Sequence, residues 1–132
     1  ILKAGNYEVR VPEAKMVLGS LTVKPTSHSE PDDYLYAPVT QAYFQKDNGK
    51  NQVVLTGEFS NSCMRLARTL VDVQPKVVIV QPVADIAASG SCVSGSFPFK
   101  QVIDLPAMND GRYLLHVRSL NGHALNTLFD IR

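Results

Sequence analysis

The most constraining feature of this chain is a period of two at its C-terminal end. Tyr113, Leu115 and Val117 alternate with Arg112, His116 and Arg118. After Asn121-Gly122, the residues Leu125, Thr127, Phe129 and Ile131 alternate with Asn126 and Asp130. Successive side chains on a strand point to opposite faces, so each segment has one dry and one wet face. Asn-Gly tolerates positive φ at both positions and closes a tight turn. The pattern predicts an antiparallel hairpin, and a chain that ends this way needs a second apolar layer against it.

The same signal recurs upstream. Residues 7–11 alternate, with Tyr7, Val9 and Val11 on one face. Residues 15–24 form a second apolar segment, with Leu21 and Val23 sharing a face. Residues 39–46 and 52–59 read as a hairpin joined through 47–51, which contains Asn48-Gly49. Val53, Leu55 and Phe59 are expected to face inward, and Gly57 to mark a bulge. Residues 69–74 and 77–83 pair around Gln74-Pro75-Lys76. The run from Val77 to Val80 is wholly β-branched and reads as a central strand. Residues 97–105 supply another strand. The stretches 25–33 and 87–96 read as loops, and one short helix over 62–68 is the weakest alternative.

Eight prolines and eight glycines punctuate these segments, as frequent turns require. The expectation is about eight strands in mainly antiparallel sheets, because parallel crossovers would require helices that the pattern lacks. The fold class is therefore all-β, an antiparallel sandwich. At 132 residues the expected organisation is one sandwich domain, with 1–38 as N-terminal strands and loop and 39–132 as its core.

A formal net charge of +1 provides no long-range field for nucleic acid, and no nucleic-acid partner is expected. No run approaches the roughly 18 apolar residues of a membrane-spanning helix, so no transmembrane segment is expected. The chain begins at Ile1, which a removed leader and a trimmed chain would equally produce. Cys63 and Cys92 allow one pairing. A bond between them implies an oxidising compartment; the alternative is two free thiols in a cytosolic protein.

Chemistry-bearing motifs are sparse. No phosphate-binding Gly-rich loop, Gly-x-Ser-x-Gly or His-Glu-x-x-His is present. His28, His116 and His123 are the only histidines. His116 and His123 flank the final turn, and a metal site there would need further ligands. The expectation is a non-catalytic chain with no cofactor and no metal site. Tyr34, Tyr36, Tyr43 and Phe44 cluster near Pro31 and Pro38, as partner-anchoring aromatics or as the cover of a sandwich edge. Arg112, His116 and Arg118 form an outward row that reads as an interaction patch or as a solvated face.

Two local features carry a resemblance. Asp110-Gly111-Arg112-Tyr113 is similar to the tyrosine corner of immunoglobulin-like sandwiches, in which a Tyr hydroxyl bonds back to the backbone. The antibody pattern places a cysteine two residues later; here that position is Leu115, and tryptophan is absent. Over residues 52–132, the series Val53-Val54-Leu55-Thr56-Gly57-Glu58-Phe59, Asn61-Ser62-Cys63, Ser91-Cys92, Pro98-Phe99, Ile103-Asp104-Leu105 and Gly111-Arg112-Tyr113 resembles uncharacterised Ig-like modules of bacterial secreted proteins and lipoproteins. The resemblance implies a Cys63–Cys92 disulfide, an immunoglobulin-like or fibronectin-III-like topology, and a secreted or periplasmic setting in the bacterial envelope. It brings no catalytic residue. The function expected is protein or glycan binding or envelope assembly, with homo-oligomers through an edge strand. A small periplasmic metal-binding or inhibitory protein is the second expectation.

Overall fold

A computed structural model describes residues 3–25, 34–87 and 90–132. Most of the expected loop over 25–33, with His28, lies outside the described residues, as do two residues of the loop over 87–96. The chain divides into two compact units, residues 1–33 and 34–132.

The first unit holds an antiparallel hairpin, β1 (Gly5–Val11) and β2 (Met16–Val23). A 3-10 turn at Pro12–Ala14 joins the strands, and Lys15 closes it in the left-handed region at φ 49°. Pro12 suits that turn's start because its fixed φ matches and its missing N–H leaves nothing unsatisfied. Tyr7 opposes Leu21 and Gly5 opposes Val23, so these side chains share a face as the alternation predicts.

Among its described residues the second unit holds seven strands. A three-stranded sheet has the order β3 (Val39–Asp47), β4 (Lys50–Asn61), β7 (Ser94–Asp104). A four-stranded sheet has the order β5 (Met64–Gln74), β6 (Val77–Ile86), β8 (Gly111–Arg118), β9 (Ala124–Ile131). Residues 62–68, where a helix was the weakest alternative, contain the turn into β5 and its first residues. Met64, Arg65 and Leu66 pair with Ile86, Asp85 and Ala84 of β6, a ladder that requires extended backbone in place of a helix.

One buried cluster joins the two sheets. Val39, Val53 and Leu55 come from the first sheet; Val78, Val80, Tyr113, Leu115, Val117, Phe129 and Ile131 come from the second. The sheets therefore face each other across a shared dry layer, the arrangement of a β-sandwich. Inward and outward assignments at the C-terminal hairpin hold: Tyr113, Leu115, Val117, Phe129 and Ile131 are all buried. Val78 and Val80 are fully buried and Val77 and Ile79 half-buried, as befits a strand flanked on both sides.

Three details depart from the sequence reading. First, β6 and β8 pair in parallel, from Val77–Leu114 to Val80–Val117. No helix makes this crossover. The chain leaves β6, runs through β7 in the opposite sheet, and returns, so the facing sheet supplies the layer that a helix supplies in α/β proteins. Second, the β3–β4 connection is tighter than 47–51. Asp47 pairs with Lys50 directly, and Asn48 and Gly49 occupy φ 47° and 76°, the two positive values of a two-residue turn. Third, the bulge expected at Gly57 is present but its extra residue lies on β3: the register slips between Val39, opposite Gly57, and Gln41, opposite Thr56. Gly57 is also required for close approach. A Cβ there would collide with the Pro38 carbonyl oxygen and sit 2.7 Å from the Phe99 ring.

Candidate functional site

The segment from Tyr34 to Val39 links both sheets of the second unit and carries two tyrosines. Its first part lies along β6. Tyr36 bridges Val83 antiparallel, with Ala37 N–H donating to Pro82 O at 2.8 Å and Ala84 N–H donating to Leu35 O at 2.7 Å. Its last part enters β3 of the other sheet at Val39. Pro38 sits at the change of sheet, where a residue without an N–H loses no ladder bond.

Ser119 holds this switch point. Its hydroxyl accepts the Val39 N–H at 3.0 Å and lies 3.4 Å from the Ala37 carbonyl and 3.3 Å from the Val39 carbonyl. Its own N–H donates to His123 O at 2.8 Å, closing the β8–β9 turn. Ser119 is 5% exposed, and a buried hydroxyl stands only where it is bonded.

Around this segment the side chains form a row of two rings flanked by two cations. The Arg68 guanidinium lies 5.3 Å from the Tyr34 ring centroid, and that of Arg118 lies 5.4 Å from Tyr36. The two tyrosines meet edge to face at 6.3 Å, a favoured aromatic geometry. Gln81 Nε2 donates to Tyr36 Oη at 2.8 Å. Tyr34 is 45% exposed, whereas Tyr36 is 6% exposed. The segment thus gives one ring to the surface and one to the packing.

The remaining candidates fall elsewhere. Tyr43 is on β3, in the other sheet, opposite the fully buried Val54; Phe44 stacks on Phe129 at 4.6 Å within the core region. Arg112 forms a two-pronged pair with Asp130 at 2.9 and 3.2 Å. His116 Nδ1 lies 2.6 Å from Asn126 Oδ1 across the hairpin, so the nitrogen donates to the amide oxygen. Of the six expected surface residues, Tyr34, Tyr36 and Arg118 come together. Arg112 and His116 lie further along the outer face of β8, and Tyr43 lies apart.

Cys63 and Cys92 are bonded, with Cα atoms 5.3 Å apart. The bond ties the β4–β5 turn to the loop before β7. Asn61 shapes that turn, its side-chain oxygen accepting the N–H groups of Cys63 and Met64. Ser62 Oγ accepts the Val93 N–H, and Ser62 N–H donates to Val93 O. The tyrosine corner is also present: Tyr113 Oη donates to Asn109 O at 2.9 Å. Lys76 Nζ lies 5.1 Å from the face of the same ring.

Three carboxylates titrate below their ordinary range. A hydrogen bond from Arg65 lowers Asp85, and one from Arg112 lowers Asp130. Asp104 is lowered first by Gln52 and then by Lys50. All three are at the surface, where solvent screens such pairs. An open recess of about 390 Å³ is lined by Gly111, Arg112, Asp130, Ile131 and Arg132. Another, of about 340 Å³, lies at the β1–β2 turn among Arg10, Val11, Pro12, Lys15, Met16 and Val17. Among the described residues, no three His, Cys, Asp or Glu side chains converge as metal ligands, and no helix is long and apolar enough to cross a membrane.

Sequence reasoning singled out neither Ser119 nor Arg68. A serine between a strand and an Asn-Gly turn looks like turn chemistry, and its bond to Val39 spans a separation of 80 residues. Arg68 carried no motif, and its ring contact depends on the fold bringing residue 34 alongside β5 and β6.

Comparison of the chain with family models, curated proteins and solved structures gives no match.

Proposed function

We propose that this chain is a non-catalytic, immunoglobulin-like module of an exported protein, which binds a protein or glycan partner at the Tyr34 surface. The observation that carries the reading is the Arg68–Tyr34–Tyr36–Arg118 row. An exposed ring already oriented by a guanidinium and a second aromatic loses little conformational freedom on binding. Tyrosine offers both an apolar face and a hydroxyl, which suits a peptide edge or a sugar ring.

The immunoglobulin-like part of the reading is supported by the Tyr113–Asn109 corner bond and by the two facing sheets. The exported setting is supported by the Cys63–Cys92 bond, because disulfides persist where the surroundings are oxidising. In a bacterial chain that means the periplasm, the envelope surface or the medium.

The test compares the intact chain with Tyr34→Ala on glycan arrays and in pull-downs from envelope extracts. Tyr34 is the residue to change, since truncating the buried Tyr36 would also disturb packing. Binding that falls at least about tenfold in the variant, roughly 1.4 kcal/mol, supports the reading. Equal binding by both proteins contradicts it.

A further inference from the structure

Strand β5 forms an outer edge of its sheet, with β6 as its neighbour. The directions of its backbone groups follow from the bonds of β6. Pro82 O and Ala84 N–H are bonded to the 35–37 segment, and Lys76 O accepts the Leu114 N–H. Even-numbered residues of β6 therefore turn away from β5, and odd-numbered ones turn toward it. Leu70 opposes Gln81, Asp72 opposes Ile79 and Gln74 opposes Val77, so these residues form the ladder with β6. The N–H and C=O groups of Thr69, Val71 and Val73 point off the sheet. Leu70, Val71 and Val73 are 36%, 36% and 37% exposed along this edge.

Strand β7, one of the two edges of the other sheet, is built differently. Glu58 N–H donates to Pro38 O, away from β7. Pro98, opposite Glu58, therefore directs its ring nitrogen outward, where it has no N–H to offer. A proline at that place blunts an edge against added strands. Between Met64 and Gln74, β5 contains no proline.

We propose that β5 pairs antiparallel with β5 of a second copy of this chain, about a two-fold axis at Leu70. The sequence of the strand selects the partner and the register. Outward-directed residues must face outward-directed residues to exchange hydrogen bonds. Among the registers that satisfy this, an axis at Asp72 sets two carboxylates against each other. An axis at Arg68 does the same with two guanidiniums. Axes at Thr69 or Val71 set a charge against Leu70. The axis at Leu70 places Arg68 opposite Asp72 of the second copy, Asp72 opposite its Arg68, and Leu70 against Leu70. Thr69 and Val71 then exchange the backbone bonds. Directly opposed residues share a face, and Arg68, Leu70 and Asp72 alternate along one face of β5, where the Tyr34 ring lies against the Arg68 guanidinium. Such an isologous pairing closes on itself and does not propagate.

The proposal shares Arg68 with the Tyr34 surface but does not depend on the partner reading there. A chain that stays monomeric yet binds through Tyr34 removes this proposal alone.

The test is sedimentation of the full chain from low-micromolar to near-millimolar concentration. The mass is expected to rise from 14.5 kDa toward twice that value. Val71→Pro deletes an outward N–H and leaves in place the ladder bonds to β6, which Leu70 and Asp72 make. It is expected to weaken dimerisation at least about tenfold with little change in unfolding temperature. Arg68→Asp and Asp72→Arg are each expected to weaken the dimer, and the two changes together to restore it. That rescue keeps the proposal testable if Val71→Pro fails to fold. A chain monomeric throughout the range overturns the proposal. So does a dimer indifferent to Val71→Pro, or a double exchange no better than either single change.

Discussion

The Ser119 hydroxyl accepts the Val39 N–H at 3.0 Å, tying the end of β8 to the residue where the chain enters the opposite sheet. Val39 is 7% exposed, and its amide also donates to the Ala37 carbonyl at 3.0 Å, so losing the Ser119 acceptor does not leave it wholly unsatisfied. Ser119→Ala is therefore expected to cost about 1 kcal/mol in a urea titration. Ser119→Thr keeps the acceptor and is expected to cost less if the added methyl finds room. An alanine variant as stable as the parent would show that the switch is held by other bonds.

Gly57 is the second fixed point of the same corner. Its missing Cβ leaves room for the Pro38 carbonyl and the Phe99 ring, and Phe99 in turn packs on Phe59 at 4.9 Å. Gly57→Ala forces a backbone shift at the start of β3. The expected loss is at least about 3 kcal/mol, read as a lowered urea midpoint or as failure to accumulate folded protein. A near-neutral substitution would mean that Pro38 approaches β4 less closely than described.

The Cys63–Cys92 bond spans a separation of 29 residues. Replacing both by serine is expected to destabilise by about 3.6 kcal/mol, the loop-closure value for that length. The same drop should follow reduction of the parent protein. Reduction that leaves the unfolding midpoint unchanged would show that the staple does not constrain the unfolded chain.

Acid dependence follows from the three lowered carboxylates. Asp85, Asp104 and Asp130 have folded-state values below their unfolded ones. Their contribution is therefore present above the unfolded value of about 4 and is lost as pH falls through the folded values. Unfolding midpoints are expected to be level from neutrality to about pH 4 as far as these groups act, then to decline. The pairs are exposed, so the decline is small and high salt flattens it. A loss of stability already between about pH 7 and 5 would point to a different titrating group.

The strands were legible in the sequence wherever one face was dry and a turn dipeptide marked the end. Tyr113 to Ile131 is the clearest case, and even the corner bond of Tyr113 could be anticipated from Asp110-Gly111 before it. What stayed hidden was long-range. The β-branched run Val77–Val80 and the alternation of Leu114–His116 say which residues are buried, but not which strands are neighbours, so the parallel pairing had no local signature. Gly57 signals a bulge without saying that the extra residue lies on β3 or that Pro38 approaches closely. At the candidate site, the tyrosine cluster was visible as composition. Its division into an exposed Tyr34 and a buried Tyr36 arises only once residues 35–37 lie against β6.

The parallel contact between β6 and β8 tests the architecture most directly, because it requires the intervening β7 to lie in the facing sheet. The measurement is the pattern of interstrand proton–proton nuclear Overhauser effects between residues 77–80 and 114–117. The account expects the evenly spaced parallel pattern, with Val78 beside Leu115 and Val80 beside Val117. An antiparallel pattern over these residues, or strong contacts placing β7 between them, would contradict the two-sheet arrangement.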